Sequence, residues 1–178
     1  MITGQHSTIR SAELDDLHSL RALYAPDPPR SLHLDRRREL YIPTSDELRE
    51  TINRPEVRLG FGLLAIEDRE GNVRGFCALR GISQEAGYAE AYLAFIDLDD
   101  LATPMAEEVF QYLRRRAFVE LRLNKLVAFS LDLETQWRAF LVHHGFTSDG
   151  VQREMVYTMG AYHDVESFTL AKQPEGAE

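Results

Sequence analysis

Gly145-Phe146, Asp149-Gly150-Val151-Gln152-Arg153 and Gly160-Ala161-Tyr162-His163-Asp164 follow one another between Lys125 and Lys172, and the architecture is most legible there. Lys125 to Leu131 is a β-rich run of the kind that lies buried in a sheet. Glu134 to His144 is a helix, and Gly145 stops it because glycine accepts the left-handed conformation at a helix end. Phe146 to Met159 and Tyr162 to Ala171 are then two strands joined by a short turn at Gly160, a closing hairpin. Gln173 to Glu178 reads as a frayed tail.

Upstream, Met105 to Leu121 is the longest helix, with Pro104 in its first-turn position. Asp99-Asp100-Leu101-Ala102-Thr103-Pro104 leads into it. Before that loop come three strands, Leu59 to Glu67, Val73 to Ile82 and Ala86 to Leu98, the first two joined by the turn Asp68-Arg69-Glu70-Gly71-Asn72. Ser45 caps a helix running to about Asn53, favoured by Glu47 and Glu50 and ended by Pro55. Ser31 to Pro43 is polar and basic. Leu14, Leu17, Leu20 and Leu23 recur every third residue and make one apolar helical face between Glu13 and Tyr24; Ala25-Pro26-Asp27-Pro28-Pro29-Arg30 breaks that helix. Ser7 to Ala12 is a first strand. No repeat, second domain or low-complexity segment interrupts the chain, which predicts a single domain over 1–178 with its core in about 7–172.

A chain of 178 residues, 44% hydrophobic, can bury a sizeable core in one domain. No apolar run is long enough to cross a membrane, and Met1 to His6 carries no apolar signal segment. Cys77 is the only cysteine, which rules out an internal disulfide and makes the cytoplasm the expected compartment. Twenty basic against 29 acidic residues leave a net charge of -9, which argues against broad nonspecific nucleic-acid binding.

The order β-α-α-β-β-β-α-β-α-β-β, together with Gly-Phe, acidic-Gly-x-x-Arg and Gly-x-Tyr-x-Asp in the C-terminal third, resembles the GNAT superfamily of N-acyltransferases, and most closely its ribosomal-protein-modifying branch. Ile9-Arg10-x-Ala12-x-x-x-Asp16 looks like the opening strand and helix of that superfamily. The resemblance covers about residues 7–172. It implies an α/β (α+β) fold with a single mixed, mostly antiparallel, seven-stranded sheet flanked by about four helices. It also implies acyl transfer from an activated donor to a primary amine by direct attack, with acetyl-CoA or another acyl-CoA as donor. The expected acceptor is a small-molecule or protein amine, and the expected state a monomer or homodimer.

In such proteins the loop before the long helix holds the donor's pyrophosphate through an Arg/Gln-x-x-Gly-x-Gly/Ala pattern. Glycine allows close approach, and helix N–H groups bind the anion. The corresponding Leu101-Ala102-Thr103-Pro104-Met105-Ala106 keeps only Ala106. Leu101 replaces the basic residue, Pro104 replaces glycine and removes an N–H, and Asp99 and Asp100 add negative charge. Glu108 matches an acidic residue common in the ribosomal-protein branch. The resemblance assigns donor binding to Phe95, Ile96, Asp97, Leu98, Thr103, Met105, Ala106 and Trp137, with strand N–H groups near Phe95 to Leu98 stabilising the oxyanion. Trp137 would line the acyl pocket, though plain core is the better reading of it.

A tyrosine that protonates the leaving thiolate is common in relatives; Leu141 stands there, and Glu134 stands where an asparagine is frequent. Glu90, in the central strand, matches the position of a general base, and Asp97 lies near the same strand's end. Ser130 is a second candidate through its hydroxyl, against the plainer reading of a strand-end hydrogen bond. His143 and His144, adjacent on a helix, point in different directions and make no metal pair alone, so no metal is expected. Arg36-Arg37-Arg38 and Arg114-Arg115-Arg116 are solvated faces or local anion patches. The patches would suit a tRNA or an acyl carrier protein as donor. Such a donor, or a noncatalytic binding module, remains the alternative.

Overall fold

The computed structural model describes residues 1–24, 43–53 and 62–172. Among these residues, eight strands form one sheet in the order β1-β2-β3-β4-β5-β6-β8-β7. They are β1 (Ile2–Thr3), β2 (Thr8–Ser11), β3 (Leu64–Glu67), β4 (Val73–Ser83), β5 (Tyr88–Phe95), β6 (Lys125–Leu131), β7 (Thr147–Thr158) and β8 (Ala161–Ala171). Among the described residues, four α-helices accompany them: α1 (Leu17–Ala22), α2 (Ser45–Asn53), α3 (Pro104–Arg115) and α4 (Thr135–His143). The expected seven strands become eight because Ile2–Thr3 pairs antiparallel with Thr8–Ile9 at the sheet edge. Arg36-Arg37-Arg38 and the tail from Gln173 lie outside the described residues, as does the start of the strand expected from Leu59.

Strand alternation divides the core in two. Ala89, Ala91, Leu93 and Phe95 point to one face, against Val109, Phe110 and Leu113 of α3 and Phe140 and Leu141 of α4. Tyr92 and Ala94 point to the other, with Phe76 and Ala78, against Leu20 and Leu23 and against Leu48 and Ile52 of α2. Gly75 lets β4 approach β5, since a Cβ there would lie 2.4 Å from the Ala94 carbonyl oxygen.

Every neighbouring pair is antiparallel except β5 and β6. That parallel pairing comprises Tyr88 with Lys125, Ala89 with Leu126 and Glu90 with Val127, and then stops. Each strand continues for several residues, β5 to Phe95 and β6 to Leu131, so the sheet splays at its centre. Ile96 N–H donates to the Arg74 carbonyl at 2.8 Å. By strand alternation, the backbone groups of Ala91, Leu93 and Phe95 therefore turn toward the splayed edge.

Two of the expected boundaries that move lie beside the groove's loop and the long helix. β5 ends at Phe95 rather than Leu98, because the Asp97 carboxylate captures Asp99 N–H at 3.0 Å and starts a 3₁₀ turn over Leu98–Ala102. The long helix is α-helical to Arg115 and finishes as a π-helical turn, Arg116–Glu120.

Candidate active site

A groove of about 530 Å³ opens where the loop after β5 meets α3 and α4. Leu98, Leu101, Ala102, Thr103 and Pro104 form one wall. Glu107 of α3 and Gln136, Ala139, Phe140, His143 and His144, on and just past α4, form the other. Thr103 is the residue before α3, but its hydroxyl donates to the Asp100 carbonyl at 2.7 Å instead of capping the helix. Ala106 and Glu107 N–H both donate back to the Thr103 carbonyl, at 3.1 and 3.4 Å. Pro104 has no N–H. Met105 is thus the one first-turn N–H, among the described residues, that does not fold back onto Thr103.

The two aspartates of the loop separate. Asp99 stays at the groove, where its carboxylate accepts from Gln136 Nε2 at 3.2 Å. Asp100 is buried and paired with Arg74, both contacts at 3.1 Å, and so adds no bare charge beside a donor. Glu108 is occupied as well: it accepts from the backbone of Gln5 and from His6 N–H at 3.0 Å and the Ser7 hydroxyl at 2.7 Å. Burial opposes its charge, but these hydrogen bonds, led by Ser7, prevail and hold its carboxyl below the usual range.

Of the residues expected to bind donor, Leu98 and Thr103 line the groove. Phe95, Met105 and Ala106 bury their side chains in the core, so only their backbones can face a ligand. Ile96 packs against the core of the α1–α2 face. Asp97 is spent on the 3₁₀ turn. Trp137 is a core residue; its Nε1–H donates to the Phe129 carbonyl at 3.0 Å and its ring stacks on Phe140.

Glu90 belongs to the last paired register of β5 and β6 and thus stands at the apex of the splay. Its side chain lies on the α1–α2 face, opposite the groove, and ion-pairs with Arg80 at 2.7 Å. The Arg80 guanidinium in turn sits 4.1 Å over the Tyr92 ring. Ser130 is buried, and its hydroxyl donates to the Leu131 carbonyl at 3.1 Å, closing the turn into α4 with the Glu134 carboxylate, which accepts from Leu131 N–H at 2.7 Å. Cys77 is fully buried and its thiol is pushed up by desolvation, so it is no nucleophile.

Sequence reasoning passed over the partnership of Glu107 with the two histidines. His144 packs its ring against Phe110 and Phe140, with centroids 4.4 and 4.1 Å away, and its Nε2 lies 3.5 Å from the Glu107 carboxylate. Burial lowers the His144 imidazole below its usual range, against the opposing pull of Glu107. Nothing in the sequence pairs residue 107 with residue 144; that contact is a product of the packing of α3 on α4.

The fold is shared with solved acetyltransferases. A probable acetyltransferase superposes with a TM-score of 0.76 at 24% identity, over 95% of this chain and 94% of its own. The spermidine N-acetyltransferase of Vibrio cholerae, in complex with CoA and spermine, gives a TM-score of 0.77 at 21% identity, over 94% and 96%. The same enzyme in complex with manganese ions gives 0.72 at 20% identity, over 93% and 92%. The chain has the GNAT fold. No protein-family model matches it and no curated protein matches it.

Proposed function

We propose that the protein is an N-acyltransferase that moves an acyl group from an acyl-CoA thioester to a primary amine. The observation that carries this is the splay of β5 from β6 beyond Glu90 and Val127, beside a groove at the start of α3. An extended, amide-bearing donor arm can add to the splayed edge as a strand does, through the backbone of Ala91, Leu93 and Phe95. The solved structures of the same fold include one holding CoA and spermine, which supports both a CoA donor and a small amine acceptor. A net charge of -9 favours the approach of a cationic amine, and a polyamine is the first acceptor to test.

Direct attack needs an amine without its extra proton and a carbonyl polarised at the splay. Glu90, at the apex and on the face away from the groove, is the proposed base for an acceptor entering from the α1–α2 side. Proximity and orientation supply the rest. The loop favours a second donor class. With Pro104 in place of glycine, Leu101 in place of a cation and Glu107 and Asp99 at the groove, a diphosphate is poorly served, whereas an acyl carrier protein presents a thioester without one.

A binding screen separates these. Acetyl-CoA, longer acyl-CoAs, free CoA, an acylated carrier protein and charged tRNA are compared by thermal shift and calorimetry. A CoA-type ligand is expected to bind, with a Kd for acetyl-CoA above about 100 μM, weaker than about -5.5 kcal/mol. Response to the carrier protein alone moves the donor to the second class, and response to none contradicts transferase function.

A further inference from the structure

Glu107 projects from the first turn of α3, His143 is the last residue of α4 and His144 follows it as the helix cap. Two consecutive residues inside a helix diverge by about 100°, but His144 has left helical geometry, with ψ at 10°, and the two rings meet edge to face with centroids 5.1 Å apart. One ligand atom from each of Glu107, His143 and His144 lies within 4.8 Å of the others. We infer that these three residues form a binding site for a divalent transition-metal ion of the zinc type, on the wall of the groove.

The donor set is two imidazole nitrogens and one carboxylate oxygen, a combination that selects zinc and its neighbours over magnesium or calcium. The spacing suits it. His144 Nε2 and Glu107 Oε2 are 3.5 Å apart, too long for a strong hydrogen bond. In a tetrahedral site with metal–ligand distances of about 2.1 Å, two ligands stand about 3.4 Å apart. The His144 ring is pre-set by Phe110 and Phe140, whereas Glu107 and His143 are exposed and close on the ion by side-chain rotation. The carbonyl end of α4 favours a cation at this point. Three protein ligands leave a coordination position open, and it opens to the groove that all three residues line.

Metal binding here needs no donor or acceptor, so the test uses the metal alone on the full-length, tag-free protein. Zinc is titrated by calorimetry, and cobalt(II) is followed by visible absorption, which reports the coordination geometry. One ion per chain is expected, bound in the micromolar range or tighter, with cobalt absorption characteristic of four-coordination. Glu107→Gln and His143→Asn, both at exposed positions, should each weaken zinc at least about tenfold, because even outer-shell partners of a bound metal cost 10- to 100-fold. His144→Ala should do the same, and His18→Asn, at an exposed histidine elsewhere, should change nothing. Absence of zinc binding at millimolar metal overturns the inference. So does binding that survives both Glu107→Gln and His143→Asn, which would place the ion elsewhere.

Discussion

Asp16 receives two guanidinium nitrogens of Arg10, at 2.7 and 2.8 Å, and Glu13 N–H at 2.7 Å, all in a nearly buried position. The hydrogen bond from Arg10 is the main reason its carboxyl is held below the usual range. The motif Ile9-Arg10-x-Ala12-x-x-x-Asp16 placed the two residues at a strand and the helix after it, but their pairing became visible only in the structure. A carboxylate lowered on folding contributes stability that is complete above its unfolded pKa of about 3.9 and is lost as pH falls through the lower folded value. Asp16→Asn should therefore cost about 1–3 kcal/mol at neutral pH, by leaving Arg10 short of a charged partner. The wild type should lose that advantage below about pH 4; urea midpoints of both proteins between pH 7 and pH 3 check it. Glu90 was also legible, as the acidic residue of the central strand, but its Arg80 partner and its place at the apex were not, because both depend on register. Glu90→Gln should lower kcat by about 10²-fold or more with donor affinity nearly unchanged, read from steady-state rates beside calorimetry. A variant near wild-type rate would take the base role away from Glu90.

Among the elements, local signals were the most reliable. Gly145 ends α4 in a left-handed conformation with φ 84, and Phe146 N–H reaches the Leu141 carbonyl while Gly145 N–H reaches that of Val142. This is the glycine-terminated helix end that Gly145-Phe146 announces. The closing hairpin turns on Met159 and Gly160, both at positive φ, 52 and 83. Such a two-residue turn favours asparagine at the first position, so Met159→Asn should stabilise the protein by about 0.5–1 kcal/mol, seen as a higher urea midpoint at unchanged slope. Asp164, in the Tyr-x-Asp of the same hairpin, orders it by accepting Glu154 N–H at 2.8 Å. The β5–α3 loop was legible only in part: its missing glycine and cation were evident, while the burial of Asp100 against Arg74 was not, since it links residues 26 apart. Restoring both features, with Leu101→Arg and Pro104→Gly together, should tighten acetyl-CoA binding over wild type by calorimetry. Unchanged affinity would show that the loop does not meet the donor's phosphates.

Across the whole molecule, the order of strands and helices was readable because each segment carries its own periodicity and stop signals. The splay was not. It exists because β5 and β6 pair over only three residues while α3 and α4 pack side by side on one face, a long-range outcome that no short window contains. The eighth strand escaped for the related reason that two residues, Ile2–Thr3, are too few to show alternation. The same packing brings Glu107 to the histidines and shapes the groove, so the candidate site is a property of the assembled sheet more than of any motif. The reaction proposed for it is acyl transfer to an amine, tested by release of free CoA from acetyl-CoA or a longer acyl-CoA, followed through its thiol with and without a polyamine. The protein's own Cys77 is buried and leaves the folded chain silent to a thiol reagent. CoA release should depend on the amine, saturate with it and yield one acylated amine per CoA. No amine-dependent release from any acyl-CoA, by a protein whose fold is intact, would contradict it.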